Sequence, residues 1–144
     1  MNLVKVATEV VGEVDIQDDA IISFPQGLLG FEELRKFTLI NIGDDIPFTY
    51  LQSVEIGELA FVVANPFVFY PEYEFELSAD TKQQLEIEKP EDVVLVSMVT
   101  IKNGELKDAT INLLAPVIIN VRTTIGKQII LHDSTYNTKH QLVR

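Results

Sequence analysis

The chain has no cysteine among its 144 residues. This excludes disulfides, thiolate nucleophiles and cysteine metal sites together, and it fits a reducing compartment. Histidine is almost as scarce: His132 and His140 stand eight apart near the C-terminus. They lack the clustering that metal sites need, so no metal and no cofactor is expected. Long apolar runs are missing too. The longest uncharged stretch, residues 109–121, is broken by Asn112, Pro116 and Asn120 and is too short and too polar to span a bilayer. The opening MNLVKVATEVVGEVD acquires acids early and does not read as a signal peptide. The expectation is a cytoplasmic protein without membrane association. No G-x-S-x-G, G-x-x-x-x-G-K-[ST] or G-x-G-x-x-G occurs, which removes the common signatures of hydrolases and nucleotide binders. Asp18-Asp19 and Asp44-Asp45 are adjacent carboxylates in polar connectors. Consecutive side chains there point apart and make poor acid/base pairs. The chain is expected not to be an enzyme.

Basic residues are few and unevenly placed. Residues 1–100 carry 5 Lys and Arg against 19 Asp and Glu, and residues 101–144 carry 6 against 3. A net charge of −11 repels nucleic acid and anionic lipid and favours encounter with a basic partner. Direct nucleic-acid binding would need a basic stripe with interleaved aromatics. Here the aromatics are interleaved with acids, so none is expected.

What is present is strand pattern. AIISF (20–24), KFTLIN (36–41), FTYLQSV (48–54) and LAFVVAN (59–65) are short runs rich in β-branched and aromatic residues. Gly57 suits a hairpin between the last two. VVLVSMVTI (93–101) is apolar on both faces and predicts a central strand covered on both sides. Asn103-Gly104 follows as a hairpin turn and returns into ATINLLA. PVIINVR comes next, and GKQIIL (126–131) is the last clear strand. Helix is scarce. Ser78 is a candidate N-cap for a short helix over SADTKQQLEIE that Pro90 would bar from continuing, and GFEELRKF could hold one helical turn. The fold class is therefore all-β: a single antiparallel β-barrel-like domain over residues 1–144, with one or two short helices.

The most unusual stretch is ANPFVFYPEYEFELSAD (64–80). It holds five of the chain's twelve aromatics, two prolines and four carboxylates, with no basic residue. Tyr73, Phe75 and Leu77 alternate with Glu74 and Glu76, as in a half-buried strand with an acidic outer face. Phe67 and Phe69 share a face and read as core. Pro71 cannot donate within a ladder and favours an edge or bend. Tyr70 and Glu72 flank it and point outward if the strand is unbroken, a composition suited to a binding hot spot. The expected partner-contact set centres on Tyr70 and Glu72. It takes in Asn65, Phe67, Tyr73 and Glu74 around the bend, although the alternation turns Tyr73 inward. GLLGFEE (27–33) is a second candidate, with Gly27 and Gly30 implying special backbone geometry.

Four stretches together resemble the FliW family of bacterial flagellar assembly factors. They are FPQGLLGFEE (24–33), FTYLQSVEIGELAFVVANPFVFYPEYEFEL (48–77), TINLLAPVIIN (110–120) and GKQIIL (126–131). The resemblance spans nearly the whole chain and is weakest over MNLVKVATEVVGEVD. It implies a cytoplasmic, non-enzymatic, β-barrel-like protein that binds flagellin before export. It also implies binding to CsrA, a small dimeric RNA-binding repressor of translation, which relieves repression of flagellin mRNA until accumulating flagellin takes the factor away. Of this, only the sign of the charge agrees independently, because an RNA-binding partner is itself basic. Two other classes remain open from the residues. One is a small-ligand-binding β-barrel with a lumen of its own. The other is an acidic nucleic-acid mimic presenting Glu72, Glu74 and Glu76 at phosphate-like spacing.

Overall fold

The computed structural model describes residues 3–8, 12–41, 45–132 and 134–143. The N-terminal stretch forms a hairpin of β1 (Leu3–Thr8) and β2 (Gly12–Gln17), paired from Leu3↔Gln17 to Thr8↔Gly12. It makes a two-stranded sheet of its own. The remaining strands are β3 (Ile22–Ser23), β4 (Lys36–Asn41), β5 (Phe48–Ser53), β6 (Ala60–Ala64), β7 (Val93–Lys102), β8 (Glu105–Ile111), β9 (Val117–Asn120), β10 (Ile125–Gln128) and β11 (His140–Gln141). Two short helices, α1 (Pro66–Phe69) and α2 (Ala79–Gln84), lie between β6 and β7.

Strands β3, β4, β5, β6, β7, β9 and β10 follow one another around a closed ring, because β7 pairs with both β6 and β9, and β10 pairs with both β9 and β3. The expected β-barrel-like architecture is present. Among the described residues every strand pairing is antiparallel except a single parallel bridge, Ile125↔Ser23. Strand β7 is long enough to serve two partners on one edge. Val93–Val96 pairs with β9, and the stretch beyond pairs with β8. Strand β11 then adds to β8 through His140↔Ile111 and Gln141↔Thr110.

Two hydrophobic cores result. The first fills the ring with Ile22, Phe24, Leu28, Phe37, Leu51, Val63, Val96, Val117 and Ile119. Phe24 meets Phe37 edge-on at 5.5 Å between centroids. Its ring also lies directly against Gly126, where any Cβ would collide with it. The second core lies over the outside of β6–β8. It joins Tyr73, Val99, Ile111, Leu113, Leu131 and Leu142, with Phe48, Phe69, Tyr70, Phe75 and Tyr136 packed on it.

The turns follow from the residues that make them. Asn103 and Gly104 both have positive φ, at 56° and 67°, as a two-residue hairpin turn requires. Gly27 has φ +67°, and a Cβ there would sit 2.5 Å from the Glu32 backbone, so GLLGFEE is a tight closed loop bridged by Leu28↔Phe31. Ser78 caps α2 by accepting from the Thr81 N–H at 3.1 Å, as expected.

Several expectations are corrected. GFEELRKF is a turn that runs into β4, not helix. YEFEL keeps its alternation, with Tyr73 buried, Phe75 and Leu77 half-buried and both glutamates exposed, but it is an extended segment outside every ladder. Strand β7 is central in pairing yet not covered on both faces: Val94 and Ile101 are exposed, the first beside a groove and the second on the protruding β7–β8 arm.

Candidate functional site

The site begins where the β6–β7 ladder stops. The register pairs Val63 with Met98 and Ala64 with Ser97, so the next inter-strand bond on that edge would join Leu95 to Pro66. Proline has no N–H to give, and the Pro66 carbonyl is taken by the Tyr70 N–H at 2.9 Å. Asn65 fixes the departure: its Oδ1 accepts the Phe67 N–H at 2.9 Å, an N-cap with proline at the first helical position. The chain turns into α1 instead of continuing the sheet. Among the described residues no strand pairs with residues 93–96 of β7 on that edge.

A groove of about 1100 Å³ opens at this break. Leu39 and Thr49 from β4 and β5 line one side, with Ile46 beside them. Phe67 and Val68 of α1 form the rim, exposed by 42% and 60%. Tyr73, Phe75 and Leu77 form another wall, and Val93–Val96 run along the floor. The charged lining is Glu74, Glu88, Lys82 and Lys89. Glu88 faces Arg122 at 3.8 Å. Lys82 and Lys89 have no ion-pair partner among the described residues. They belong to one end of the groove, since the Ile87 N–H bonds back to the Lys82 carbonyl at 2.9 Å. That end is anchored by Asp92. Burial alone would raise its carboxyl, but N–H donors from Glu88 and Lys89 and the adjacent Arg122 outweigh burial and hold it below the usual range.

Four of the six sequence-selected residues line this groove: Asn65, Phe67, Tyr73 and Glu74. Phe67, expected in the core, is exposed instead, because α1 turns it outward past the break. Tyr73 is buried at the wall. Its hydroxyl donates to the Leu113 carbonyl at 2.7 Å, and its ring meets Tyr136 edge-on at 4.7 Å. Burial, helped by Tyr136, pushes the Tyr73 phenol well above its ordinary range. Tyr70 and Glu72 are not brought to the groove. Tyr70 was expected to point outward with the acids. It is half-buried against the second core, its hydroxyl donating to the Gln141 carbonyl and its ring edge-on to His140 at 5.5 Å. The reason is that Tyr70 ends a helical turn, so strand parity does not govern it. Glu72, Glu74 and Glu76 are all exposed, but they follow an irregular extended path, not a strand edge. The sequence reading missed Val68, the free edge at Val93–Val96, and Lys82 and Lys89. The Pro66 interruption was the signal available for the edge.

A ring with a filled interior and an apolar groove through one wall defines a class. It is a β-barrel-type protein whose accessible space is an open slot, not an enclosed chamber. Among the described residues no group of three or more histidine, aspartate or glutamate side chains could hold a metal, and no helix is long and apolar enough to cross a membrane. Comparison with known proteins makes the class particular. The model of the FliW protein family matches residues 5–142. The flagellar assembly factor FliW of Bacillus licheniformis is 44% identical over 137 residues, covering 95% of each chain. That of Bacillus subtilis is 39% identical over 135 residues, covering 94% of each. A crystal structure of the flagellar assembly factor FliW matches with a TM-score of 0.90 at 40% identity, covering 98% of each chain. The chain belongs to the FliW family of flagellar assembly factors.

Proposed function

We propose that this chain is a non-enzymatic cytoplasmic binding protein that holds flagellin before export and, when free of flagellin, engages and antagonises the translational repressor CsrA. The observation that carries the reading is the groove at the β6–β7 break. It presents Phe67 and Val68 to solvent beside Asn65 and Glu74, in a chain whose family is that of flagellar assembly factors. Exposed aromatic anchors beside polar groups are the composition of binding hot spots, and sites of this size are sufficient to seat several partner side chains. The net charge of −11 favours approach of a basic, RNA-binding partner and disfavours RNA itself. The filled ring interior, with Phe24, Phe37 and Leu51 fully buried, supports a protein-binding role over a ligand held in a lumen.

The test is Phe67→Ala measured against purified flagellin and purified CsrA by titration calorimetry. Loss of the anchor is expected to weaken at least one partner by about 2 kcal/mol, measured on the folded protein, while costing the fold about 2 kcal/mol, because the ring is 42% exposed and packs against Tyr73 at 5.8 Å between centroids. Unchanged affinity for both partners refutes the assignment of this groove.

A further inference from the structure

The break in the ladder leaves a backbone edge whose hydrogen-bonding direction is fixed by its neighbours. The Asn112 N–H bonds to the Met98 carbonyl and the Val121 N–H bonds to the Asp92 carbonyl. Even-numbered residues of β7 therefore turn their backbone groups toward β8 and β9. Odd-numbered residues turn theirs toward β6, where Ser97 meets Ala64. Leu95 and Val93 come next along that edge. The Val93 N–H already donates to the Pro90 carbonyl. The Leu95 N–H and carbonyl have no hydrogen-bond partner among the described residues, and both residues line the groove. An unpaired strand edge is a template for another strand, and extended peptides dock on such edges through main-chain bonds while alternate side chains enter pockets. The charges select the occupant further. In a chain of net charge −11, the groove end beside the start of β7 carries two lysines without ion-pair partners, Lys82 and Lys89, complementary to a carboxylate.

We propose that the groove receives an extended segment of a partner protein as an added strand on β7, running in the direction that β6 would have kept, paired to the N–H and carbonyl of Leu95 and to the carbonyl of Val93. Its apolar side chains alternate against Phe67, Phe75 and Val94, and a carboxylate at its C-terminal end meets Lys82 and Lys89. This rests on the reading of the groove as the partner site and specifies how that site grips.

The probe is an acetylated, amidated heptapeptide of three threonine-valine pairs closed by aspartate. Two isomers accompany it, each N-methylated along one edge only. An added strand uses one edge, so one isomer is expected to lose about tenfold in affinity and the other to keep it. At saturation, exchange of the Leu95 amide hydrogen is expected to slow about tenfold, and replacing the aspartate by lysine is expected to weaken binding by about threefold. No binding up to about 2 mM, a weak affinity by any standard, overturns the proposal. So do equal effects from the two isomers, or an unchanged Leu95 amide at saturation. The partner-site reading is judged separately by Phe67→Ala. If that substitution weakens flagellin or CsrA while Leu95 exchange stays unaltered in the complex, the groove stands and the added strand falls.

Discussion

Replacing Tyr70 separates a fold role from a binding role. Its ring is half-buried on the second core, edge-on to His140, and its hydroxyl donates to the Gln141 carbonyl. A tyrosine buries about 150–250 Å² when fully enclosed, so half of that at about 25 cal/mol per Å² is worth about 2–3 kcal/mol. The hydrogen bond adds about 1 kcal/mol. A compact unfolded chain recovers part of the area, which brings Tyr70→Ala to a destabilisation of about 3 kcal/mol. For a chain of this length that lowers Tm by about 6–12 °C. Tyr70→Phe keeps the ring and isolates the hydroxyl, at about 1 kcal/mol. Urea unfolding and scanning calorimetry give both numbers. Hydrogen exchange locates them: the Leu142 N–H, bonded to the Ala109 carbonyl at 3.1 Å, should lose protection first, because Tyr70 pins the strand beside it. Affinity for flagellin and CsrA in the folded fraction should stay within about threefold, as befits a residue outside the contact. A stability loss below about 1 kcal/mol together with a binding loss of about 2 kcal/mol would refute the argument and restore Tyr70 as a surface anchor.

Three further outcomes follow from local chemistry. Burial holds the His140 imidazole below its ordinary value of 6.5, and its Nε2 accepts the Asn137 N–H at 3.0 Å. The unfolded chain then binds the proton more readily, so this contribution is full above pH 6.5 and lost as pH falls below it. Urea midpoints at several pH values should show that slope, and His140→Gln should flatten it. Ser97 is fully buried with its hydroxyl oxygen unbonded among the described residues, so Ser97→Ala should stabilise by up to about 1 kcal/mol in the same assay. Gly27→Ala should cost about 2–3 kcal/mol, because φ is +67° and the new Cβ lands 2.5 Å from the Glu32 backbone; a neutral substitution would show that the loop opens freely.

The parts of this fold that were legible in the sequence are those governed by local rules. KFTLIN matches β4 residue for residue, Asn103-Gly104 turns β7 into β8, and Ser78 caps α2. The aromatic stretch was legible only in part. Alternation placed Tyr73, Phe75 and Leu77 correctly because solvent and core divide the two sides of any extended segment, whether or not it joins a ladder. It misplaced Tyr70 because one helical turn at Pro66–Phe69 shifts the parity carried from one residue to the next. It misread Phe67 for the same reason. Strand β11 was missed because it spans only His140–Gln141, too short for any period to register, and it is held in place by Tyr70, Ala109 and β8 from distant sequence. Lys82 and Lys89 gave no signal either: lysines on a short helix and in a loop become a charged groove end only through tertiary folding.

Asn65 and Pro66 together set the form of the groove. Had β6 continued, a residue with an N–H at position 66 would have bonded to Leu95, and the β6–β7 ladder would have continued along the wall beside a full core. Proline removes that donor, and the asparagine cap commits the carbonyl to α1. The fold gives up a main-chain pairing worth about 1 kcal/mol and leaves apolar side chains facing solvent at the rim. Where local choices otherwise agree with the global structure, such a departure marks a site whose form is set by something other than stability. Replacing Pro66 by alanine tests the point without touching the contact surface. If the groove exists because the ladder is blocked, the variant should be no less stable by more than about 1 kcal/mol and should bind its partners more weakly, as α1 yields to strand. A variant that loses stability while its affinity holds would mean that Pro66 serves the helix alone.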